Sequence, residues 1–277
     1  MNSAAAPLDL DTLRARLVAP AGPYAALDVV ASTSSTNHDL RAAAAQGAAD
    51  RTVLIAEQQT AGQGRRGRNW VSPPGSGLYV SVLYRPTGVP AVRLPWLTLL
   101  AGVALVRAVR SYGADAVLKW PNDLLLGQRR RKAAGVLAET TSGLDATLVL
   151  GMGLNVAPLP PDVPAGVGGL EPTSLGDELG TAPDRTEVAV RLLTELATLE
   201  ETWRRADGDP FVSGLHEEYR AYCATFGQQV RVELSGTAEL RGTAMYLEGD
   251  GTLVVRSQDG AEHSVSAGDV VHLRPAD

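Results

Sequence analysis

Lysine is nearly missing from this chain. Of 25 basic residues in 277, 23 are arginine, and only Lys119 and Lys132 are lysine. Wherever a bare positive charge suffices, the sequence uses a guanidinium. The two exceptions, 13 positions apart, mark places where a compact ammonium with three rotatable donors suits better than a planar fork. Cysteine is scarcer still. Cys223 stands alone, which excludes an internal disulfide, and the lack of any CxxC or Cys/His spacing leaves no basis for zinc or thiol redox chemistry. Its expected role is buried packing. No apolar run of about 18 residues and no signal-type apolar segment occurs, so no membrane span is expected. An excess of positive charge is lacking too: the net charge of −6 argues against a broad basic face for nucleic acid. With 44% hydrophobic residues, the length predicts a soluble, cytoplasmic protein of one large or two modest domains.

Against that acidic background, Gly62 to Trp70 (GQGRRGRNW) packs three glycines and three arginines into nine positions. Glycine lets a backbone approach a ligand closely. Arg65, Arg66 and Arg68 offer forks that match phosphate or carboxylate oxygens two at a time. The strand-like runs TVLIAE before the segment and GLYVSVLY after it suspend it as a loop between two strands. No GxxxxGK[ST] pattern occurs and no helix opens behind the glycines, so it is neither a P-loop nor a dinucleotide fingerprint. Two readings stand at this level: a solvated surface loop, or a wrap for an anionic small ligand that Trp70 helps to cover.

Elsewhere, helices are expected over Asp9 to Ala19, from about His38, over Leu94 to Tyr112, Thr186 to Ala206 and Phe211 to Thr225, with strands at Ala26 to Ala31, Ala116 to Trp120, Gly135 to Glu139 and Thr147 onward into GMGLNV, ending at Asn155. The polar run Ser32 to Asn37 (STSSTN) either caps the helix that follows or turns Ser35, Thr36 and Asn37 into a pocket. Residues 157 to 184, rich in proline and glycine, are expected to be a surface loop without elements of their own. From Gln228 on, short alternating runs about ten residues apart, divided by Gly-Asp-Gly and Asp-Gly turns, predict a small antiparallel barrel.

Taken in order, STN, AEQQTAGQGRRGRNW, KWPNDLLL, RKAAGVLAE and GMGLN, followed by small terminal β-runs, resemble the biotin protein ligase family from about residue 28 to the C-terminus. The resemblance implies an α/β (α+β) catalytic domain over 28–226 of the class II aminoacyl-tRNA synthetase-like type with a mixed sheet, an SH3-like barrel over 227–277, and a short N-terminal segment 1–27. It implies an ATP-dependent ligase that converts biotin to biotinyl-5′-AMP and transfers it to a lysine of a biotin carboxyl carrier protein domain, with ATP and biotin as substrates and Mg²⁺ present. By matching positions, Ser35, Thr36, Asn37 and Gln59 would meet the ring end of biotin. Gln63, Gly64 and Arg65 would close over its carboxylate, with Lys132 reaching that carboxyl and the α-phosphate. Arg66, Arg68, Trp70, Asn122, Gly135 and Asn155 would line the nucleotide side. Asp123 is either a base or orienting group for the acceptor lysine, whose ordinary pKa is about 10.4, or a structural cap after Trp-Pro-Asn.

Two departures stand out. Gln63 replaces an arginine common in the family, which predicts a more loosely held adenylate, and Arg129 to Arg131 lengthen the stretch between Asp123 and Lys132. Some relatives also repress transcription through an N-terminal winged helix. The 27 or so residues before the match carry two basic residues, Arg14 and Arg16, so no DNA binding is expected here. A monomer or weak homodimer is expected. The alternatives are a lipoate or octanoate ligase of the same fold and a non-catalytic biotin sensor.

Overall fold

The computed structural model describes residues 6–141, 147–160, 163–233, 239–266 and 269–272. Its main sheet holds β1 (Ala26–Val30), β2 (Thr52–Ala56), β3 (Gly77–Tyr84), β4 (Ala116–Lys119), β5 (Asp123–Leu126), β6 (Arg131–Thr140) and β7 (Leu148–Asn155) in the order β1-β2-β3-β7-β6-β5-β4. β1 and β2 are parallel, and the other neighbours pair antiparallel. The sheet is therefore mixed.

Period-two alternation divides each central strand between two environments. Leu78, Val80, Val82 and Tyr84 of β3 and Leu148, Leu150, Met152 and Leu154 of β7 face one way, into a single core. Helices α1 (Leu10–Leu17), α3 (Trp96–Arg110), α5 (Arg185–Arg205) and α6 (Leu215–Tyr222) close that side. α3 lacks a polar stripe because twelve of its fifteen residues are buried between the sheet and α5. On the opposite face one helix, α2 (Thr36–Ala45), sets Leu40 and Ala44 on Leu83 and Val149. It covers only part of that face: Gly151 lies under Asn37 in its first turn, while Gly153 and Gly135 lie beneath Trp70 instead.

A second, five-stranded antiparallel sheet follows: β8 (Gln229–Glu233), β9 (Glu239–Leu247), β10 (Leu253–Arg256), β11 (Glu262–Val265) and β12 (Asp269–His272), ordered β11-β10-β9-β8-β12. Val230, Val232, Ala244, Val255 and Val270 continue the main core. Two indoles tie the sheets together, Trp96 Nε1 donating to the Gly249 carbonyl at 2.9 Å and Trp120 Nε1 to that of Gly251 at 3.2 Å.

Several details differ from the sequence reading: the helix expected over Phe211 to Thr225 covers only Leu215–Tyr222, and three further differences bear on the site. The helix expected from His38 begins at Thr36, so Thr36 and Asn37 sit in its first turn. KWPNDLLL contains a turn and a strand of its own, β5, paired with β4 and β6. The segment 157–184, expected to be plain loop, holds a 3₁₀ turn at Val167–Gly169 and a short helix α4 (Leu175–Leu179). Ser174 starts that helix by accepting from Asp177 N at 3.1 Å; five helical residues between prolines are too few to show a period. Cys223 is buried and unpaired, as expected.

Candidate functional site

Strand register assembles the site. Gly153 lies opposite Gly135, Gly135 opposite Asp123, and Asp123 opposite Lys119, so two bare backbone positions, a carboxylate and an ammonium form one row across four strands on one face. The neighbouring row pairs Gly151 with Leu137. Lys132 joins this face through a β-bulge, where the β5–β6 register shifts between Leu124 and Leu125. The extra residue lets Ala133 and Ala134 both enter the core at 0% exposure. Lys132 and Gly135, three apart, then share the open face, and a Cβ built on Gly135 would lie 3.6 Å from Lys132 Nζ.

Both lysines of the chain converge on Asp123. Lys132 Nζ stands 2.6 Å from Oδ1 and Lys119 Nζ 3.5 Å from Oδ2. The first contact is the tighter of the two ion pairs. Burial pushes the Asp123 carboxyl up, but the Lys132 and Lys119 ammoniums outweigh it and hold the group below the usual carboxylate range. Burial pushes the Lys119 ammonium down, more than Asp123 lifts it, with Lys132 and Arg65 acting in the same downward direction. Burial also lowers Arg65, against the pull of Asp123 and with help from Arg68 and Arg66. One carboxylate thus faces two ammoniums and a guanidinium, a local excess of positive charge suited to an anion.

The arginine loop between β2 and β3 is anchored at its roots and folded on itself. Arg185, 5% exposed, donates to Glu57 Oε2 at 2.6 Å and to the Gly77 carbonyl at 3.3 Å, holding both ends. Gly64 N donates to the Arg68 carbonyl, Trp70 N to that of Gly62, and Gln63 bridges Asn69. At the tip, the turn Arg65–Gly67 puts Arg66 at φ 57° and sends its guanidinium to the Glu233 carbonyl at 3.2 Å. Arg65, Arg68 and Gln63 face the cavity. Trp70 returns across the glycine row, where a Cβ on Gly153 would come within 2.6 Å of the indole and one on Gly135 within 3.3 Å. Lys132 Nζ lies 5.5 Å from the indole centroid, a cation–π distance. Trp70 Nε1 and Arg65 Nη1 are buried without an acceptor, an uncommon state for donors in a folded interior.

At the other end, a polar chain holds α2 against the sheet. Gln59 Oε1 accepts from Thr36 N at 2.9 Å and Thr36 Oγ1 at 3.1 Å, capping the helix where Ser35 provides no side-chain cap. Ser81 Oγ lies 2.7 Å from both Thr36 Oγ1 and Asn37 Oδ1, and Asn37 Nδ2 donates to Glu139 Oε2 at 2.7 Å. Asn37 needs Gly151 beneath it, because a Cβ there would sit 2.3 Å from its Oδ1. Asn122 and Asn155 serve as pins: their amides donate at 2.9 Å to the carbonyls of Val136 and Thr173. The second of these, with Lys132 N to Glu171 O and Thr173 N to Lys132 O, lays the segment 163–172 along the rim.

These groups enclose a cavity of about 380 Å³, within the range of small-molecule sites. Thr36, Asn37, Gln59, Gln63, Gly64, Arg65, Arg68, Trp70, Asn122, Asp123, Lys132, Gly135 and Asn155 all line it, whereas Ser35 and Arg66 do not. The arginine-rich insertion stays outside the Asp123–Lys132 contact, because Arg129 and Arg130 occupy the β5–β6 turn. Sequence reasoning passed over Ser81, Glu139 and the 163–172 wall. Ser81 had a signal, a lone hydroxyl in the apolar run GLYVSVLY, while the wall had none, since its register comes from Lys132 in another strand. Among the described residues no cluster of three or more His, Cys, Asp or Glu could hold a metal ion.

Comparison with known proteins gives the family of the chain. Residues 29–155 match the family model described as the biotin/lipoate A/B protein ligase family, and residues 225–273 that described as the biotin protein ligase C terminal domain. The chain is 43% identical to the biotin--[acetyl-CoA-carboxylase] ligase of Mycobacterium tuberculosis across 97% of each protein. It is 32% identical to the bifunctional ligase/repressor BirA of Bacillus subtilis over 87% of this chain and 71% of that protein. Among solved structures it is similar to a biotin protein ligase from Aquifex aeolicus in complex with biotin and ATP, with a TM-score of 0.73 and 25% identity over 91% of this chain and 100% of the other.

Proposed function

The chain belongs to the biotin protein ligase family, and on that premise we propose that it activates biotin with ATP to biotinyl-5′-AMP and transfers the biotinyl group to a lysine of a biotin carboxyl carrier protein domain. The observation that carries this reading is the meeting of both lysines of the chain at Asp123, beside Arg65 and in the row that ends in Gly135 and Gly153. Two anions, a carboxylate and a triphosphate, repel each other in water. A desolvated, preformed cluster of cations offsets that repulsion and holds them in line, so catalysis needs no enzyme nucleophile.

Each group has a role. Thr36 and Asn37, backed by Gln59 and Ser81, hold the neutral end of biotin at the α2 side of the floor. Lys132 and Arg65 meet its carboxylate and the α-phosphate, and the orphan donors Arg65 Nη1 and Trp70 Nε1 gain acceptors when ligands arrive. Trp70, seated on the glycine row, turns the other face of its indole to the adenine. Asp123 orients Lys132; held below the usual carboxylate range by two ammoniums, it is a poor proton acceptor, which favours the orienting role over the base. Lys132 and Lys119 already neutralise Asp123 from both sides and no cluster of three or more metal-ligating side chains occurs among the described residues, so Mg²⁺ would be held chiefly by the phosphates of ATP and would supply further neutralisation of their charge.

We also read 28–226 as a class II aminoacyl-tRNA synthetase-like catalytic domain and 227–277 as an SH3-like barrel. The mixed sheet and the five antiparallel strands support those readings. The test of the function is biotin-dependent exchange of diphosphate into ATP, followed by mass spectrometry of a carrier domain after incubation with biotin and MgATP. Exchange with biotin and a biotinylated carrier lysine are expected. Exchange only with lipoate or octanoate would assign the alternative ligase, and biotin binding without any adenylate would assign a sensor.

A further inference from the structure

Lys132 lies where its strand loses a neighbour. β7 ends at Asn155, one residue past the pair of Leu154 with Ala134, so on that side Lys132 is beyond the last rung of the ladder. On the other side it follows the bulge against β5. Its backbone groups still need partners, and the segment 171–173 supplies them in place of β7. Lys132 N donates to the Glu171 carbonyl at 2.7 Å, Thr173 N donates to the Lys132 carbonyl at 2.8 Å, and Lys132 and Pro172 form a parallel bridge. Asn155 Nδ2 joins the end of β7 to this segment at the Thr173 carbonyl.

The segment belongs to no strand or helix, so its place is set from outside, by Glu178 in α4. Glu178 Oε1 accepts from Thr173 Oγ1 at 2.8 Å and from Arg131 Nη2 at 2.7 Å. One oxygen therefore holds both the residue before Lys132 and the residue bonded to the Lys132 carbonyl, which closes a ring of Arg131, Lys132, Thr173 and Glu178. Thr173 is buried and the Glu178 side chain largely so, and hydrogen bonds to an ionised acceptor are the strong kind. Gly127, at φ 67°, seats the carboxylate on the β5–β6 turn, because a Cβ there would collide with Glu178 Oε2. Neither Glu178 nor Arg131 lines the main cavity. The ring grips Lys132 from behind, on the side away from any ligand.

We propose that Glu178 is a positioning residue for adenylate formation: through Thr173 and Arg131 it fixes the backbone of Lys132, and with it the reach of the ammonium that stands 2.6 Å from Asp123 Oδ1. The role in the reaction rests on the ligase reading above. A misplacement of about 1 Å in a reacting group costs up to about 10²-fold in rate, so a ring of hydrogen bonds outside the cavity sets the rate without touching substrate.

The test uses the full chain with Glu178→Ala, Glu178→Gln and Thr173→Val, and reads adenylate formation by rapid quench, per site counted by biotin binding. Glu178→Ala should slow the step about tenfold with KM for biotin and for ATP within about twofold of wild type. Glu178→Gln keeps a carbonyl oxygen for both donors and should stay within about threefold of wild type. Thr173→Val, close to isosteric and with the Arg131–Glu178 pair intact, should slow the step as well, and it carries the test should Glu178→Ala fail to fold. The double variant should be no more than about twofold slower than Glu178→Ala, since both changes break one bond. A helix anchor alone would lower the thermal midpoint and leave the rate per folded site at the wild-type value. Because the chain has two lysines, lysine labelled with ¹³C at Cε gives two signals, which Lys119→Arg assigns; without any substrate, the Lys132 signal should move in Glu178→Ala. A wild-type rate per site in both Glu178→Ala and Thr173→Val, or a Lys132 signal that stays in place, overturns the proposal. A wild-type chain that forms no biotinyl-AMP sinks the ligase reading instead, and the lysine spectrum keeps the two failures apart.

Discussion

Asp123 is the residue on which the site's charge balance turns. With two ammoniums against it and burial around it, Asp123→Asn leaves both cations uncompensated in a desolvated place, a state that costs about 3–5 kcal/mol when a buried pair is broken. Lys132 then loses the partner that aims it. Adenylate formation by Asp123→Asn should fall by roughly 10²–10³, as for loss of a preorganised electrostatic group, with transfer from supplied biotinyl-AMP nearly intact. Rapid-quench measurement of the two half-reactions checks this, and a defect confined to transfer would restore the base role. Arg65 carries a second prediction. Its Nη1 is a buried donor awaiting an acceptor, and a hydrogen bond to a charged group contributes about 1.5–3 kcal/mol. Arg65→Ala should release free biotinyl-AMP at least about tenfold faster in the absence of carrier, and unchanged release would remove the retaining role. Much of this was legible at the residue level, because two lysines among 23 arginines pointed to the site before any geometry. Ser81 and Glu139 were not, since a hydroxyl and a carboxylate on strands reveal their targets only when α2 docks on them.

At the scale of elements, one bulge and three glycines build the floor. The spacing of Lys132 and Gly135 is wrong for a regular strand, which would put them on opposite faces; the bulge at Ala133 reconciles it. The sequence shows the spacing but not the bulge, which exists only relative to β5. Gly151 and Gly153 could be read as period two along one strand, yet what they admit, Asn37 and Trp70, comes from distant segments. Gly153→Ala should therefore displace the indole by the clash at 2.6 Å while leaving the core face of β7 untouched. KM for ATP is expected to rise about tenfold, an effect of about 1.4 kcal/mol, with the thermal midpoint nearly unchanged. An ATP KM equal to wild type would show that Trp70 has no part in nucleotide binding. The arginine loop was legible in composition and position, but its self-pairing as a hairpin was not, because those bonds are backbone to backbone and carry no side-chain signature.

For the whole molecule, the join between the two sheets has a pH signature. Burial, then the charge of Lys119, pushes the His272 imidazole down from 6.5 to about 4, against a smaller upward pull from Asp123. Its neutral form is the one the folded chain holds, beside Thr225. The unfolded chain takes up a proton as pH falls through 6.5 and the folded chain does not until about 4, so stability drops across that window by roughly 3 kcal/mol at most. Urea unfolding between pH 7 and pH 4 should show this loss, and His272→Gln should flatten it; an equal slope in the variant would place the acid sensitivity elsewhere. The mixed α/β architecture and the five terminal strands were readable from runs and turns. The way the second sheet completes the core through Trp96 and Trp120 was not, because indole partners at Gly249 and Gly251 lie far along the chain.

The central claim is that this cluster of cations joins an acid's carboxylate to the α-phosphorus of ATP. Biotin labelled with ¹⁸O in both carboxyl oxygens, run through a full turnover onto a carrier domain, tests it most directly by mass spectrometry of the AMP formed. The account predicts one ¹⁸O in each AMP, transferred when the carboxylate attacks and kept when the acceptor amine displaces the nucleotide. AMP without label, from a reaction that still biotinylates the carrier, would contradict it.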